Sequence, residues 1–394
     1  MEGGLAAVRQ PGQCAGRYRE DRPITPLVDA QRGRISRILL AVSEYSARTF
    51  GRAIIQVLNR LPGHARLDIL VAEPVAGAVS SWVAKSGPGA QACLVEAPAN
   101  MPFSLWTQDL FLAREDGILN MPPHFDRYKD LDAARLLAQG AGHPTAETPI
   151  YFEGGNLIAA GELLLIGADL VTQNGGDAMA LAIQLDPTRE PVVLGTNEPV
   201  EAEVTEPTER PAKDWTQTLR WKIAQGSAQP MFHLDLFVAP AGTLRDGTPR
   251  FLVGCPRRAA RLLRHPERPH ALSDRFDEIA AKLEATGAQV IRNPLPLIWK
   301  DQPADKHRTW FHLPVNNVLL EDLGREARSV WLPCFASKTW PELAVIDNEN
   351  AAIWAMMGYS VTRIPWMMPL AENLGALHCM AKVVAREMAA TGTA

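Results

Sequence analysis

From Ile35 onward the chain is broken into short apolar runs set off by turn residues, with only a few helical stretches between them. Runs at 35–43, 66–73, 91–96, 105–113, 148–153, 156–166 and 191–195 read as strands. So do those at 231–239, 250–254, 288–292, 309–320, 328–333, 359–364 and 375–383. An amphipathic helix is expected over 47–61, with Phe50, Ile54, Val57 and Leu58 on one face and Pro62-Gly63 beyond its end. Further helices are expected over 274–286, capped by Ser273 and stopped at Gly287, and over 349–357, between Asn348 and Gly358. The recurring unit is strand, helix, strand, with extra hairpin strands between units. This predicts an α/β architecture of several similar blades rather than one doubly wound sheet. No residue-level repeat accompanies it.

The bulk composition narrows the function classes. The 394 residues are 46% hydrophobic and 21% charged, ordinary for a globular chain. Forty basic and 44 acidic residues give a net charge of −4, which argues against nucleic acid or an acidic membrane as partner. The N-terminus lacks a basic-then-apolar leader, and no apolar run approaches the ~20 residues a membrane helix needs. Residues 1–33 are expected to be a mobile lead-in or an edge segment, 34–387 a single domain and 388–394 a C-terminal tail. Cys14, Cys93, Cys255, Cys334 and Cys379 are scattered, without a CxxC pair, so neither a disulfide framework nor a zinc cluster is expected. A reducing cytoplasm is the expected location. HExxH, GxxxxGK[ST] and a GxGxxG after a strand are missing, and no metal or organic cofactor is expected. Two stretches read as insertions: 197–230, and 256–270 with Arg257, Arg258, Arg261, Arg264 and Arg268, whose cluster reads as a phosphate site or a solvated helix face.

Four polar constellations interrupt the apolar runs. His233 and Asp235 sit in FHLDLF, where a strand would place both on one face. Two polar groups in so apolar a run must face a polar cavity or pair with something, because isolated burial costs several kcal/mol. Cys379 follows the Gly375-bearing turn in GALHCM, the kind of place where a side chain is presented at a cavity. His378, its neighbour, would point away from it in a strand. Asp109 in WTQD and Glu153 in FEGGN are single acids in strand-like surroundings. Each also has a plain structural explanation: a core histidine, an inert buried thiol, two strand-end acids.

WTQD, EGGN, HLD and the terminal GALHC, in this order, resemble the guanidino-group-modifying enzymes: arginine, agmatine and peptidylarginine deiminases, dimethylarginine hydrolases and amidinotransferases. Gln108 before Asp109, with FLVGCPRR, LPVNNVLL at 313–320 and GALHCMAKVVAR, leans toward the peptidylarginine deiminase catalytic domain. That likeness implies a five-bladed α/β propeller of pseudo-fivefold ββαβ units with its site on the central axis. It implies Cys379 as nucleophile, His233 as acid and base, Glu153 orienting His233, and Asp109 and Asp235 gripping the guanidinium of an arginine side chain or a small molecule. The implied reaction is cysteine-dependent deimination to a ureido product (citrulline, from arginine) and ammonia. Calcium-binding acids near WTQD have no match here, since 110–113 is apolar. An amidinotransferase with the same thiol, or a silent guanidinium-binding propeller, are the alternatives.

Overall fold

The computed structural model describes residues 23–86, 91–125, 130–196, 204–207, 233–267, 271–302, 307–324 and 327–388. The chain opens with β1 (Arg34–Val42), α1 (Glu44–Leu58), β2 (Arg66–Ala72), α2 (Ala76–Ala84) and β3 (Ala92–Ala97). Helix α1 begins where the Ser43 hydroxyl accepts the Ser46 amide, three residues before the sequence pattern starts it. Its buried stripe is Ser46, Phe50, Ala53, Ile54, Val57 and Leu58. Each large apolar side chain there is worth roughly 1.5–3 kcal/mol of burial.

The pattern then repeats. A second unit holds β4 (Leu112–Ala113), β5 (Leu119–Met121), α3 (Asp130–Ala141) and β6 (Thr145–Glu147). A third holds β7 (Leu157–Ala160), β8 (Leu163–Gly167), α4 (Ala168–Gln173), α5 (Ala178–Leu185) and β9 (Glu190–Leu194). After β10 (Val204–Pro207), a fourth holds β11 (Val238–Thr243), β12 (Pro249–Cys255), α6 (Pro256–Leu263), α7 (Ser273–Glu284) and β13 (Gln289–Pro294). Strands β14 (Leu297–Gln302) and β15 (His307–His312) join β10 in an antiparallel sheet outside the repeat. The fifth unit holds β16 (Leu319–Asp322), β17 (Arg328–Pro333), α8 (Ala344–Met356) and β18 (Ser360–Ile364).

In units two to five an antiparallel hairpin is followed by a helical crossover to a parallel third strand. The helix imposes this order, because parallel strands need a long crossover while antiparallel ones need only a turn. The first unit obeys the same rule with a strand from the far end of the chain. There β19 (Ala381–Glu387) pairs antiparallel with β1, from Leu40 opposite Ala381 to Arg34 opposite Glu387. All five sheets are mixed and open, and none closes on itself as a barrel. The leading strand of every unit contributes to one cavity of about 70 Å³, through Leu112, Ile158, Val238, Leu319 and Lys382.

Several expectations are corrected here. Leu27 to Gly33 are not a mobile lead-in. The Val28 amide donates to Ala113, Ala30 to Ala159 and Gly33 to Asp322, and the Gln31 side chain accepts the Gly242 amide. This segment therefore crosses the leading strands of units two to five. The runs at 105–113, 231–239 and 375–383 are not continuous strands. Each is a short helical turn (Thr107–Leu110, Leu234–Leu236, Leu377–Met380) leading into a strand. The run at 156–166 is a hairpin, and 148–153 lies outside the strands. In the first three, turn and strand are largely buried alike, so hydrophobicity continues across the break and hides it. At α7 the cap position is Leu272 rather than Ser273. Most of 197–230 lies outside the described residues. In 256–270, Arg257 pairs with Asp274, Asp277 and Glu267, and Arg258 with Glu349, so these two arginines are already engaged.

Candidate active site

The repeat explains why distant motifs meet. Each leading strand is entered through a tight turn: 107–110 before β4, 154–156 before β7, 234–236 before β11, 316–318 before β16 and 377–380 before β19. The five turns carry Gln108-Asp109, Glu153-Gly154-Gly155-Asn156, His233 with Asp235, Asn316-Asn317 and His378-Cys379. One structural position, repeated five times, thus supplies the polar residues picked out above.

The glycines of EGGN are required by close approach. A Cβ on Gly154 would lie 2.1 Å from the Gln108 carbonyl oxygen. One on Gly155 would lie 2.6 Å from His233 Nδ1 and 2.9 Å from an Asp235 oxygen. A side chain at either position would push the turns apart. The approach is fixed by hydrogen bonds: Gln108 Nε2 donates to the Gly154 carbonyl at 3.2 Å, and the Gly155 amide donates to Asp109 Oδ1 at 3.2 Å. Gly375 plays the same part beside the thiol, where a Cβ would lie 2.5 Å from the Trp106 ring.

His233 is gripped from both sides. Its Nε2 is 3.0 Å from Glu153 Oε2, and its Nδ1 is 4.0 Å from Asp109 Oδ1. Burial opposes a charged ring, but the Asp109 charge and then the Glu153 hydrogen bond outweigh it and raise His233 to about 9. At neutral pH the ring is an imidazolium. Asp109, Glu153 and His233 offer ligand atoms within 4.8 Å of one another, the one group among the described residues spaced to hold a metal.

Asp235 and Cys379 form the other half. Asp235 Oδ2 lies 2.6 Å from His378 Nδ1 and 3.8 Å from Cys379 Sγ. Its Oδ1 is buried and has no hydrogen-bond partner among the described residues. A carboxylate oxygen left unpartnered in a buried site is a place for an incoming donor. Cys379 is 4% exposed. Burial pushes its thiol up, the Asp235 and Asp109 charges push it further, and the Ala376 backbone and Asn317 side chain pull it partly back.

All five residues expected from sequence, Asp109, Glu153, His233, Asp235 and Cys379, lie in this connected cluster. His378 is corrected: in a helical turn rather than a strand, it faces into the site and binds Asp235. Asn317 was missed. Its Oδ1 accepts the Cys379 amide at 3.0 Å, its Nδ2 donates to Cys379 Sγ at 3.1 Å, and its carbonyl accepts the His378 amide. The signal that could have found it is its place in LPVNNVLL, a polar pair entering an apolar strand just as HLD does. Among the other cysteines, Cys93 and Cys334 are buried and Cys255 is half-buried, all free thiols, while Cys14 lies outside the described residues.

No protein-family model and no curated protein sequence matches this chain. Among solved structures, the agmatine deiminase of C. jejuni aligns with a TM-score of 0.58 at 10% identity, over 93% of this chain and 97% of its own. The agmatine deiminase of Enterococcus faecalis aligns with a TM-score of 0.60 at 10% identity, over 91% and 95%. The particular likeness to peptidylarginine deiminases expected from Gln108 gains no support from them. No helix among the described residues is long and apolar enough to cross a membrane. At such low identity it is the fold that is shared, and the chain has the α/β fold of the agmatine deiminase structures.

Proposed function

We propose that this chain is a cysteine-dependent deiminase that hydrolyses the guanidinium group of a small compound to a ureido product and ammonia. The observation that carries the reading is the joint placement of Cys379, the unpartnered Asp235 oxygen, Asp109 and the His233–Glu153 pair in one buried cluster. A guanidinium is planar, cationic and never deprotonated in water, so recognition calls for carboxylates set for bidentate hydrogen bonds. Asp109 and Asp235 fill that role. Their neutralisation by the substrate removes two of the causes that hold the Cys379 thiol protonated, and the thiol proton leaves to solvent.

The thiolate then attacks the guanidinium carbon, forming a C–S bond. His233, protonated in the free site, gives its proton to the departing nitrogen as the C–N bond breaks and ammonia leaves. The neutral imidazole takes a proton from water, hydroxide adds to the thiouronium carbon, and the C–S bond then breaks to expel the thiolate as the hydroxyl proton leaves to solvent and the ureido carbonyl forms. Glu153 holds the ring in orientation and offsets its charge, as the third member of a triad does. Both agmatine deiminase structures support a small substrate over a protein-borne arginine. Five like sheets whose leading strands line one cavity support a five-bladed propeller with the site on its axis.

The test is release of ammonia and ureido product from agmatine, arginine and an Arg-containing peptide, with wild type beside Cys379→Ala. Thiol-dependent release from a small guanidino compound is expected. Release from the peptide alone would overturn the substrate class, and turnover by Cys379→Ala would overturn the mechanism.

A further inference from the structure

The reaction above leaves a buried lysine beside the site unused. Lys382 lies on β19, three residues after Cys379, and is 7% exposed. Its side chain lines the central cavity together with Gln108, Gly154, Asp235, Asn316 and His378, the inner wall of the site. Among the described residues it makes no hydrogen bond or ion pair. A buried ammonium without a partner is costly, and burial brings Lys382 down to about 8, with only the Asp109 and Asp235 charges supporting it. An apolar side chain of similar length would remove that cost. A charge kept where it costs stability points to function.

Among the described residues, most of the other charged groups around the cavity are engaged, apart from the free Asp235 oxygen and the Nε of Arg386. Asp29 accepts the amides of Gln31, Arg32 and Gly161. Arg386 donates to the carbonyls of Ala30, Gln31, Gly33 and Leu320. His378, beside Lys382 in the cavity wall, is held by Asp235. Lys382 thus shares the cavity wall with Asp235, and the Asp109 and Asp235 charges that act on it are the same two that oppose ionisation of Cys379.

We propose that Lys382 is a positioning residue that sets the charge balance of the site: from the cavity side its ammonium offsets Asp109 and Asp235, so that Cys379 ionises more readily. The same ammonium competes electrostatically with the substrate cation. It thereby trades ground-state affinity for a reactive thiol. The idea rests on the deiminase reading for the role of the two carboxylates, but its test needs no substrate.

The experiment measures the iodoacetamide alkylation rate of Cys379 against pH in wild type, Lys382→Met and Lys382→Arg, with thermal unfolding of each. Lys382→Met is expected to stay folded with an equal or higher melting temperature. Its Cys379 alkylation at neutral pH should slow roughly tenfold, with the midpoint about one pH unit higher. Lys382→Arg should restore the rate. In turnover, Lys382→Met should lower kcat while KM stays level or falls. A folded Lys382→Met that alkylates with the wild-type rate and midpoint would overturn the proposal. So would a Lys382→Met that fails to fold, since the lysine would then be structural, or a folded Lys382→Arg that does not restore the rate. Normal alkylation shifts without turnover on any guanidino compound would sink the deiminase reading and leave the charge effect standing.

Discussion

Cys334 and Cys379 are both buried cysteines, 7% and 4% exposed, and burial pushes both thiols up: Cys334 to about 12, Cys379 well above its ordinary value. Their surroundings separate them. Cys334 follows β17 and donates to the Leu332 carbonyl at 3.7 Å. The carboxylate nearest its chemistry, Asp347, is occupied by the amides of Phe335 and Ala336. Cys379 lies beside the Asn317 amide, an Asp235 carboxylate with one unpartnered oxygen, and a cavity. Charge around Cys334 is fixed by the fold. Charge around Cys379 can be cancelled by a cation seated on Asp109 and Asp235. A raised thiol in the free protein therefore does not mark a cysteine as inert; what matters is whether a ligand can remove the causes.

The sharpest way to break the comparison is to delete each thiol. Cys379→Ala should cost on the order of a thousandfold or more in turnover, and Cys334→Ala no more than about twofold, read as ammonia release. Equal losses would mean the two sites do not differ in kind. Next is the proposed proton donor: His233→Gln should lower kcat by about 10²–10⁴-fold with substrate binding retained, measured by steady-state kinetics and calorimetric binding. Asn317→Ala removes the side-chain donor to Cys379 Sγ. If that hydrogen bond favours thiolate, kcat should fall about 10–100-fold and alkylation of Cys379 should slow, while Cys334 is unchanged.

The smallest expected effect is on stability. His233 in the fold binds its proton up to about pH 9, above its ordinary 6.5, so its stabilising share is complete below pH 6.5 and lost as pH rises through 9. Lys382 has the opposite sign. Its folded value of about 8 lies below its ordinary 10.5, so the ammonium costs stability below pH 8 and that cost fades between 8 and 10.5. Melting temperature should therefore fall from pH 6.5 to 9, with Lys382 offsetting the fall from pH 8. His233→Gln should flatten the first slope and Lys382→Met the second.

Much of the site was readable before the fold was known. His, Asp and Cys set in apolar runs signal polar groups that burial must compensate, and their order along the chain carried the rest. The form of their surroundings was not readable. FHLDLF has the composition of a buried strand, yet His233 enters a helical turn: its carbonyl accepts the Leu236 amide within that turn, while the His233 and Asp235 side chains bond to neighbouring turns. Asn317 escaped notice because a lone amide signals no chemistry until a thiol stands 3.1 Å away. Lys382 passed as one polar residue in a strand, since nothing local says which side of a strand will be walled in.

By itself the sequence determined which polar side chains interrupt the apolar runs, and that the strands come in short blade-like groups. The tertiary structure alone decided that five entering turns share one centre, that β19 completes the sheet begun by β1, and that Asn317 and Lys382 belong to the site. The reason is physical. Periodicity and composition report how a segment is buried, which is a local property. Hydrogen-bond partners and charge balance are set by contacts 46 to 144 residues apart in the chain, as between Asp109 and Gly155 or Asp235 and Cys379.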